Sequence, residues 1–235
     1  MADQPIGTQR LPRMPQGPPP YRPHEADIIF ALDAQYVGER AFVALDIQTW
    51  AGERLGTAVG VAHVTMPYVP GRLRFREGPP LLAMIAAARE RLSLRPDLIL
   101  VDGHGTAHPQ RCGLACWVGA GADTPTIGCA KETLLRYNGP VGRKRGDALP
   151  IELDGEAVGV ALTTRDGVRP VFVSPGHRVS LSTAIEVVLH LTPRYRLPEP
   201  LHRADHAARS CAKGILPTDT FFWGQLNKHA ETSDR

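Results

Sequence analysis

The stretch Leu98-Ile99-Leu100-Val101-Asp102-Gly103-His104-Gly105 decides how this chain is read. Four apolar residues in a row, with no polar alternation, predict a strand covered on both faces, as in a sheet flanked by helices. The run stops on a carboxylate. An acid at the end of a buried strand is costly on solvation grounds unless it is paired, hydrogen-bonded or holding a metal. Gly103 and Gly105 frame it, and glycine lets a backbone come close to a ligand. Glycine here also makes a simple turn, and the residues alone leave both uses open.

Upstream, residues 28–32, 41–47 and 57–64 have the length and apolar character of strands, with Gly38-Glu39 and Gly52-Glu53 as turns. This is an antiparallel meander. Residues 81–92 carry Ala and Leu at helical spacing. Downstream, Pro109 is suited to open a helix running to about residue 118, and 126–129 is another buried strand. Residues 151–153 and 157–163 flank Asp154-Gly155, a hairpin signal. A strand at 171–173 and helices over 180–189 and 203–212 complete the pattern. A meander followed by alternating helices and strands predicts an α/β fold, a mixed β-sheet with helices on both faces.

The chain has 235 residues, which suits one domain with tails. The Pro-, Gln-, Arg- and Gly-rich residues 1–25 cannot build a core and are expected to be a flexible tail. Residues 26–216 form the expected domain. Residues 217–235 form a polar C-terminal tail, apart from Phe221-Phe222-Trp223, which is expected to dock on the body. The net charge of +3 permits nucleic-acid binding without arguing for it. No stretch reaches the roughly 18 apolar residues of a membrane span, and no secretory h-region is present. The four cysteines form no CxxC pair, so free thiols in a reducing cytoplasm are expected.

Three further acids resemble Asp102 in their setting. Asp33 closes the first apolar run, Glu77 lies in Phe75-Arg76-Glu77-Gly78-Pro79 just before a helix, and Asp205 lies in the last helix. Each taken alone reads equally well as a surface residue or a helix cap. Two such strand ends on neighbouring strands would bring carboxylates together, and a divalent cation offsets their repulsion. Oxygen ligands favour Mg²⁺ or Mn²⁺, ions suited to in-line phosphoryl displacement. Asp46 also follows an apolar run, but Ile47 continues it, so Asp46 is expected at an edge or facing solvent. His104, His108, Cys112 and Cys116 recur every four residues, yet Pro109 breaks the periodicity a zinc site on one helix would need.

The ordered blocks Pro67-Tyr68-Val69-Pro70-Gly71, Phe75-Arg76-Glu77-Gly78-Pro79, Asp102-Gly103-His104-Gly105 with His108-Pro109, and Pro125-Thr126-Ile127-Gly128-Cys129-Ala130-Lys131 resemble the endonuclease V family. Ser174-Pro175-Gly176-His177-Arg178 and Tyr195-Arg196-Leu197-Pro198-Glu199-Pro200 extend the resemblance over roughly residues 27 to 210. It implies a ribonuclease H-like fold and Mg²⁺-dependent hydrolysis, with Mn²⁺ as substitute, of a phosphodiester 3′ to inosine in DNA or RNA. It implies that Asp33, Glu77, Asp102 and Asp205 hold the metal, with Lys131 beside them at the scissile phosphate. It makes Pro67, Tyr68, Val69 and Pro70 a wedge filling the gap of a flipped nucleotide. Without the resemblance, Lys131 reads as a solvated strand end and Tyr68 as a core residue at a stiff corner. Gly71, Gly103, Gly105, His108 and Leu134 fall where the family's base pocket lies. Arg76, Arg111, Arg178 and His177 are candidates for phosphate contacts. The expected partner is inosine-containing nucleic acid, met by a monomer away from membranes. The rival readings are a nucleic-acid-binding protein without catalysis, and a nuclease for flaps or mismatches.

Overall fold

The computed structural model of the chain describes residues 20–64, 73–217 and 220–223. Strands β1 (Ile28–Val37), β2 (Arg40–Thr49) and β3 (Arg54–His63) form the antiparallel meander. Helix α1 (Leu73–Leu92) leads to β4 (Leu98–Val101), which lies parallel to β1. Helix α2 (Leu114–Ala122) leads to β5 (Thr126–Ala130), parallel to β4. Then follow β6 (Ala148–Leu153), β7 (Glu156–Leu162), β8 (Val171–His177), α3 (Leu181–His190), α4 (Glu199–Ala212) and β9 (Thr220–Trp223). The sheet order among the described residues is β6-β7-β8-β5-β4-β1-β2-β3-β9. The β6–β7 turn has positive φ at both Asp154 and Gly155, +53° and +78°, the backbone twist a two-residue hairpin needs.

Alternation along the strands sorts the core into two layers. Phe30 and Leu32, Val43 and Leu45, Ile99 and Val101 face α1 and α2, meeting Leu81, Ile85, Leu114 and Val118. Ile29 and Ala31, Leu98 and Leu100, Ile127 and Cys129 face the other way, onto Ala184, Val187 and Val188 of α3 and Leu201 of α4. Phe42, Ala44 and Val59 meet Ala204, Ala207 and Ala208 of α4. Each fully buried Leu or Ile contributes about 1.5–3 kcal/mol relative to an exposed one. A one-residue slip would turn a whole set to the wrong face, so these pairs fix the register.

Several sequence expectations are corrected. Asp33 does not close its strand: β1 runs on to Val37, and Asp33 pairs with Ala44. It does stand one residue past Leu32, the last partner of β4, so the parallel part of the sheet ends there. Glu77 lies inside α1, not before it. The helix begins upstream of Pro79 and Pro80, whose missing N–H groups masked its first turns. Gly78 fits there because Trp117 of α2 sits on it; a Cβ would come within 2.3 Å of the indole. Pro109 opens no helix. Arg111 adopts φ +52°, a left-handed backbone a helix cannot pass through, and α2 starts three residues later. Asp46 is neither at an edge nor solvent-facing: it is fully buried under α4. Tyr21 is held to the body, its N–H donating to Arg178 O at 2.9 Å and its hydroxyl to Asp27 Oδ2 at 2.6 Å. Phe221-Phe222-Trp223 contribute to β9, which pairs with β3. No described helix is long and apolar enough to cross a membrane.

Candidate active site

The period-two rule that sorts the core also aims the site. Asp33 stands two residues past Ala31, Asp102 two past Leu100, and Lys131 two past Cys129. All three therefore share the face of α3 and α4, at the C-terminal ends of the parallel strands. Helix α4 crosses this face and supplies Asp205. Carboxylate oxygens of Asp33, Asp102 and Asp205 all lie within 4.8 Å of one another. Lys131 Nζ bridges two of them, donating to Asp102 Oδ2 at 2.6 Å and Asp205 Oδ1 at 2.7 Å. Arg209, one turn along α4, adds a bond to Asp205 Oδ1 at 2.9 Å.

Glu77 approaches from α1 and is not part of the 4.8 Å group. Its carboxyl is pushed up to about 8, by burial first and then by the charges of Asp33 and Asp102. Burial, then the Asp102 charge, pushes Asp33 up to about 7. Burial also raises Asp102, although Lys131 opposes it. Asp205 goes the other way: its bonds to Lys131 and Arg209 outweigh burial and hold it below the usual range. Burial works against the Lys131 charge, but Asp102 and Asp205 more than restore it. Lys131 and Arg209 bond only Asp102 and Asp205, and Arg76 acts on Glu77 through its charge, so four acids share three cations. An all-oxygen set short of positive charge fits a hard divalent cation.

The loop after β4 is clamped. Gly105 N donates to Ser174 Oγ at 2.8 Å and Thr106 N to Pro175 O at 2.7 Å. Gly128 of β5 lies against it so closely that a Cβ would come within 2.5 Å of Gly103 O. Gly103 and Gly105 are thereby fixed beside Asp102. His104 is half-buried, and desolvation holds its imidazole down to about 4, so it is neutral at physiological pH. His108 is buried, and its Nδ1 accepts from Gln110 N at 3.1 Å. Leu134, two residues past Glu132, is 53% exposed and lines a cleft of about 400 Å³ with Leu135, Arg136 and Tyr137. Pro67, Tyr68, Val69, Pro70 and Gly71 lie outside the described residues. Among the phosphate candidates, Arg111 is bound to Glu156, Asp154 and Leu153 O at the β6–β7 turn, and Arg178 to Asp123 at 2.7 Å. Arg76 lies 4.8 Å over the Tyr36 ring. His177 stands 4.0 Å from Asp123.

A sequence model of the family described as Endonuclease V matches residues 19–206, most of the chain. The chain belongs to the endonuclease V family. An endonuclease V of Roseiflexus castenholzii is 46% identical over 190 residues, covering 80% of this chain and 82% of that protein. The crystal structure of endonuclease V from Streptomyces avermitilis superposes with a TM-score of 0.75 at 38% identity, covering 84% and 86% of the two chains. Endonuclease V of Ciona intestinalis, in complex with a 24mer DNA containing an inosine followed by a ribo-adenosine, gives a TM-score of 0.72 at 27% identity, over 82% and 88%. Membership makes the protein a nuclease on a ribonuclease H-like fold. The acid cluster sits where strands β1 and β4 and helix α4 of that fold converge.

Sequence reasoning missed Arg209, and it quoted Ser174 in a motif without giving it a role. Arg209 had a signal, since an Arg four residues after an Asp on a helix faces it. Ser174 had a weaker one, a hydroxyl amid the buried residues of β8 that requires a partner.

Proposed function

We propose that the protein hydrolyses the phosphodiester bond 3′ to a deaminated purine, inosine or deoxyinosine, with Mg²⁺ or Mn²⁺ as cofactor. The observation that carries this reading is the meeting of Asp33, Asp102 and Asp205 within 4.8 Å, bridged by Lys131. Asp33, Asp102 and Asp205 hold the ion, and Glu77 of α1 faces them from the opposite layer. Such an ion supplies an activated water and offsets charge on the phosphate oxygens. Lys131 keeps Asp102 and Asp205 together and offers an ammonium to the scissile phosphate. Gly103 lies beside the base, and Gly105, whose N–H is given to Ser174 Oγ and whose carbonyl accepts from Gly113 N, shapes the pocket wall. A backbone N–H there separates hypoxanthine, which has an acceptor at O6, from adenine, which has an amine. The wedge Pro67–Pro70 and Gly71 complete this assignment, as do His108 and Leu134 for the pocket. The inosine strand in the Ciona intestinalis complex supports the substrate class.

The test is cleavage of matched deoxyinosine and inosine strands with Mg²⁺ or Mn²⁺, beside unmodified and mismatched controls. Cutting one bond class 3′ to the lesion is expected, and Asp102→Ala should abolish it while the circular dichroism spectrum stays unchanged. Equal cutting of mismatched and inosine strands would instead favour a structure-specific nuclease. Binding without cutting would leave a nucleic-acid-binding protein.

A further inference from the structure

The sheet edge that carries the acid cluster continues beyond it. β5 and β8 are antiparallel, with Ala130 opposite Phe172, so Lys131 emerges beside the start of β8. Val171 of β8 pairs with Leu162 of β7, and Leu162 with Ala148 of β6. Residues 163–170 and 140–147 therefore border the same edge as Asp102 and Lys131. Both segments are basic, and although Thr163 and Thr164 are buried, Arg143, Lys144, Arg165 and Arg169 are exposed.

This border is firmly attached to the site. Arg196 Nη2 donates to Lys131 O at 2.9 Å and to Pro170 O at 2.6 Å, and its Nε to Arg169 O at 3.0 Å. The Arg169 guanidinium stands 4.0 Å from Glu132, both side chains about four-fifths exposed, a pairing that holds neither tightly. The two acids within the border are turned to its backbone: Asp147 accepts from Lys144 N at 2.8 Å and Asp166 from Arg145 N at 2.7 Å. Arg145 itself is directed inward, onto the carbonyls of Thr164, Leu189 and Thr192.

We propose that this border is a ledge that grips the sugar-phosphate backbone of the substrate strand on one side of the bond to be cut. The assignment rests on the functional reading above and extends it to substrate the acid cluster does not touch. Three strand-to-strand steps separate β5 from β6, roughly 14 Å at about 4.8 Å each. A stacked strand places a phosphate about every 3.4 Å along its axis. The ledge thus runs along roughly four phosphates and offers them four exposed cations, of which Arg143 also touches Gly167 O at 3.5 Å. Its contacts are to charge alone, so the grip is independent of sequence.

The test compares the parent with R143Q/K144Q/R165Q/R169Q, whose positions are exposed. A control, R91Q/R95Q, lies at the end of α1 and the approach to β4, on the opposite sheet edge. Binding of fluorescent single strands with a central inosine is measured by anisotropy in EDTA between 50 and 200 mM KCl. Each lost phosphate contact should flatten the slope of log K against log salt by about 0.7, so the ledge variant should flatten it by roughly two to three units. The control should change it by less than half as much. Lengthening the strand by five nucleotides on one side of the inosine should tighten parent binding, and the variant should lose that gain. At saturating substrate kcat should stay within twofold while KM rises. An unchanged slope and KM in the variant, or a length gain equal on both sides, would overturn the ledge. A parent that shows the slope difference but cuts no inosine strand would keep the ledge and overturn the functional reading.

Discussion

Lys131 donates to Asp102 and Asp205 at once, so it both neutralises the cluster and occupies its centre of negative charge. Lys131→Met should lower kcat about 10²–10³-fold, the usual cost of losing one electrostatic contact to a reacting group, with the fold retained. Single-turnover cleavage would read this, and a rate within tenfold of the parent would show that the ammonium has no such role. Asp33 and Glu77 make a second prediction, concerning pH. Their folded values, about 7 and about 8, lie above the unfolded carboxyl range near 4. Between these limits the folded chain keeps protons that the unfolded chain has shed. Metal-free stability should therefore fall as pH rises from about 4 to about 8. Cation binding requires the ionised forms, so added Mn²⁺ should raise Tm more at pH 8 than at pH 6. Thermal melts at both pH values, with and without Mn²⁺, would check this; an equal rise at the two would count against a cation bound by these acids.

Helix α4 packs on the sheet through Leu201, Ala204, Ala207 and Ala208, and one buried polar contact adds to this. Asp46, with no exposed surface, accepts Arg203 Nε at 2.9 Å and Nη2 at 2.7 Å. Its other oxygen accepts Thr57 Oγ1 at 2.7 Å and lies 3.4 Å from Arg54 Nε. Burial alone pushes this carboxyl upward; the guanidinium groups and Thr57 hold against it. Arg203 points to β2 while Asp205, two residues on, points to β1 and Lys131, so the clamp fixes the rotation of the helix about its axis. Asp46→Ala removes the counter-charge of two half-buried guanidinium groups and should cost about 2–3 kcal/mol. Urea denaturation would measure it, and a loss below 1 kcal/mol would refute the clamp. The clamp also marks what the sequence hides. A strand pattern tells which residues alternate, but which helix covers them depends on contacts 157 residues apart in the chain. Hence Asp46 reads as an exposed acid. The Asp154-Gly155 hairpin, by contrast, is local, and its turn is legible in two residues. Glu77 falls between these cases, because Pro79 and Pro80 conceal the start of its helix.

In the assembled molecule, the acid cluster follows from topology. The buried run before Asp102 marks a strand end, while β1 runs on past Asp33, and period two puts Asp33, Asp102 and Lys131 on one face. The order that makes β1, β4 and β5 neighbours is not written in any one segment. That order brings Asp33 and Asp102 side by side, whereas Asp205 joins them only through the packing of α4 on β1 and β2. The far border of the sheet carries a different consequence. β9 covers β3 with a short antiparallel pairing from Gly56 to Val59. Ending the chain before residue 217 would leave those amide and carbonyl groups bare, a ready seat for another molecule's strand. Light scattering of such a shortened protein should show self-association that the intact chain lacks. The last few residues of the sheet would then be what keeps this nuclease from sticking to itself.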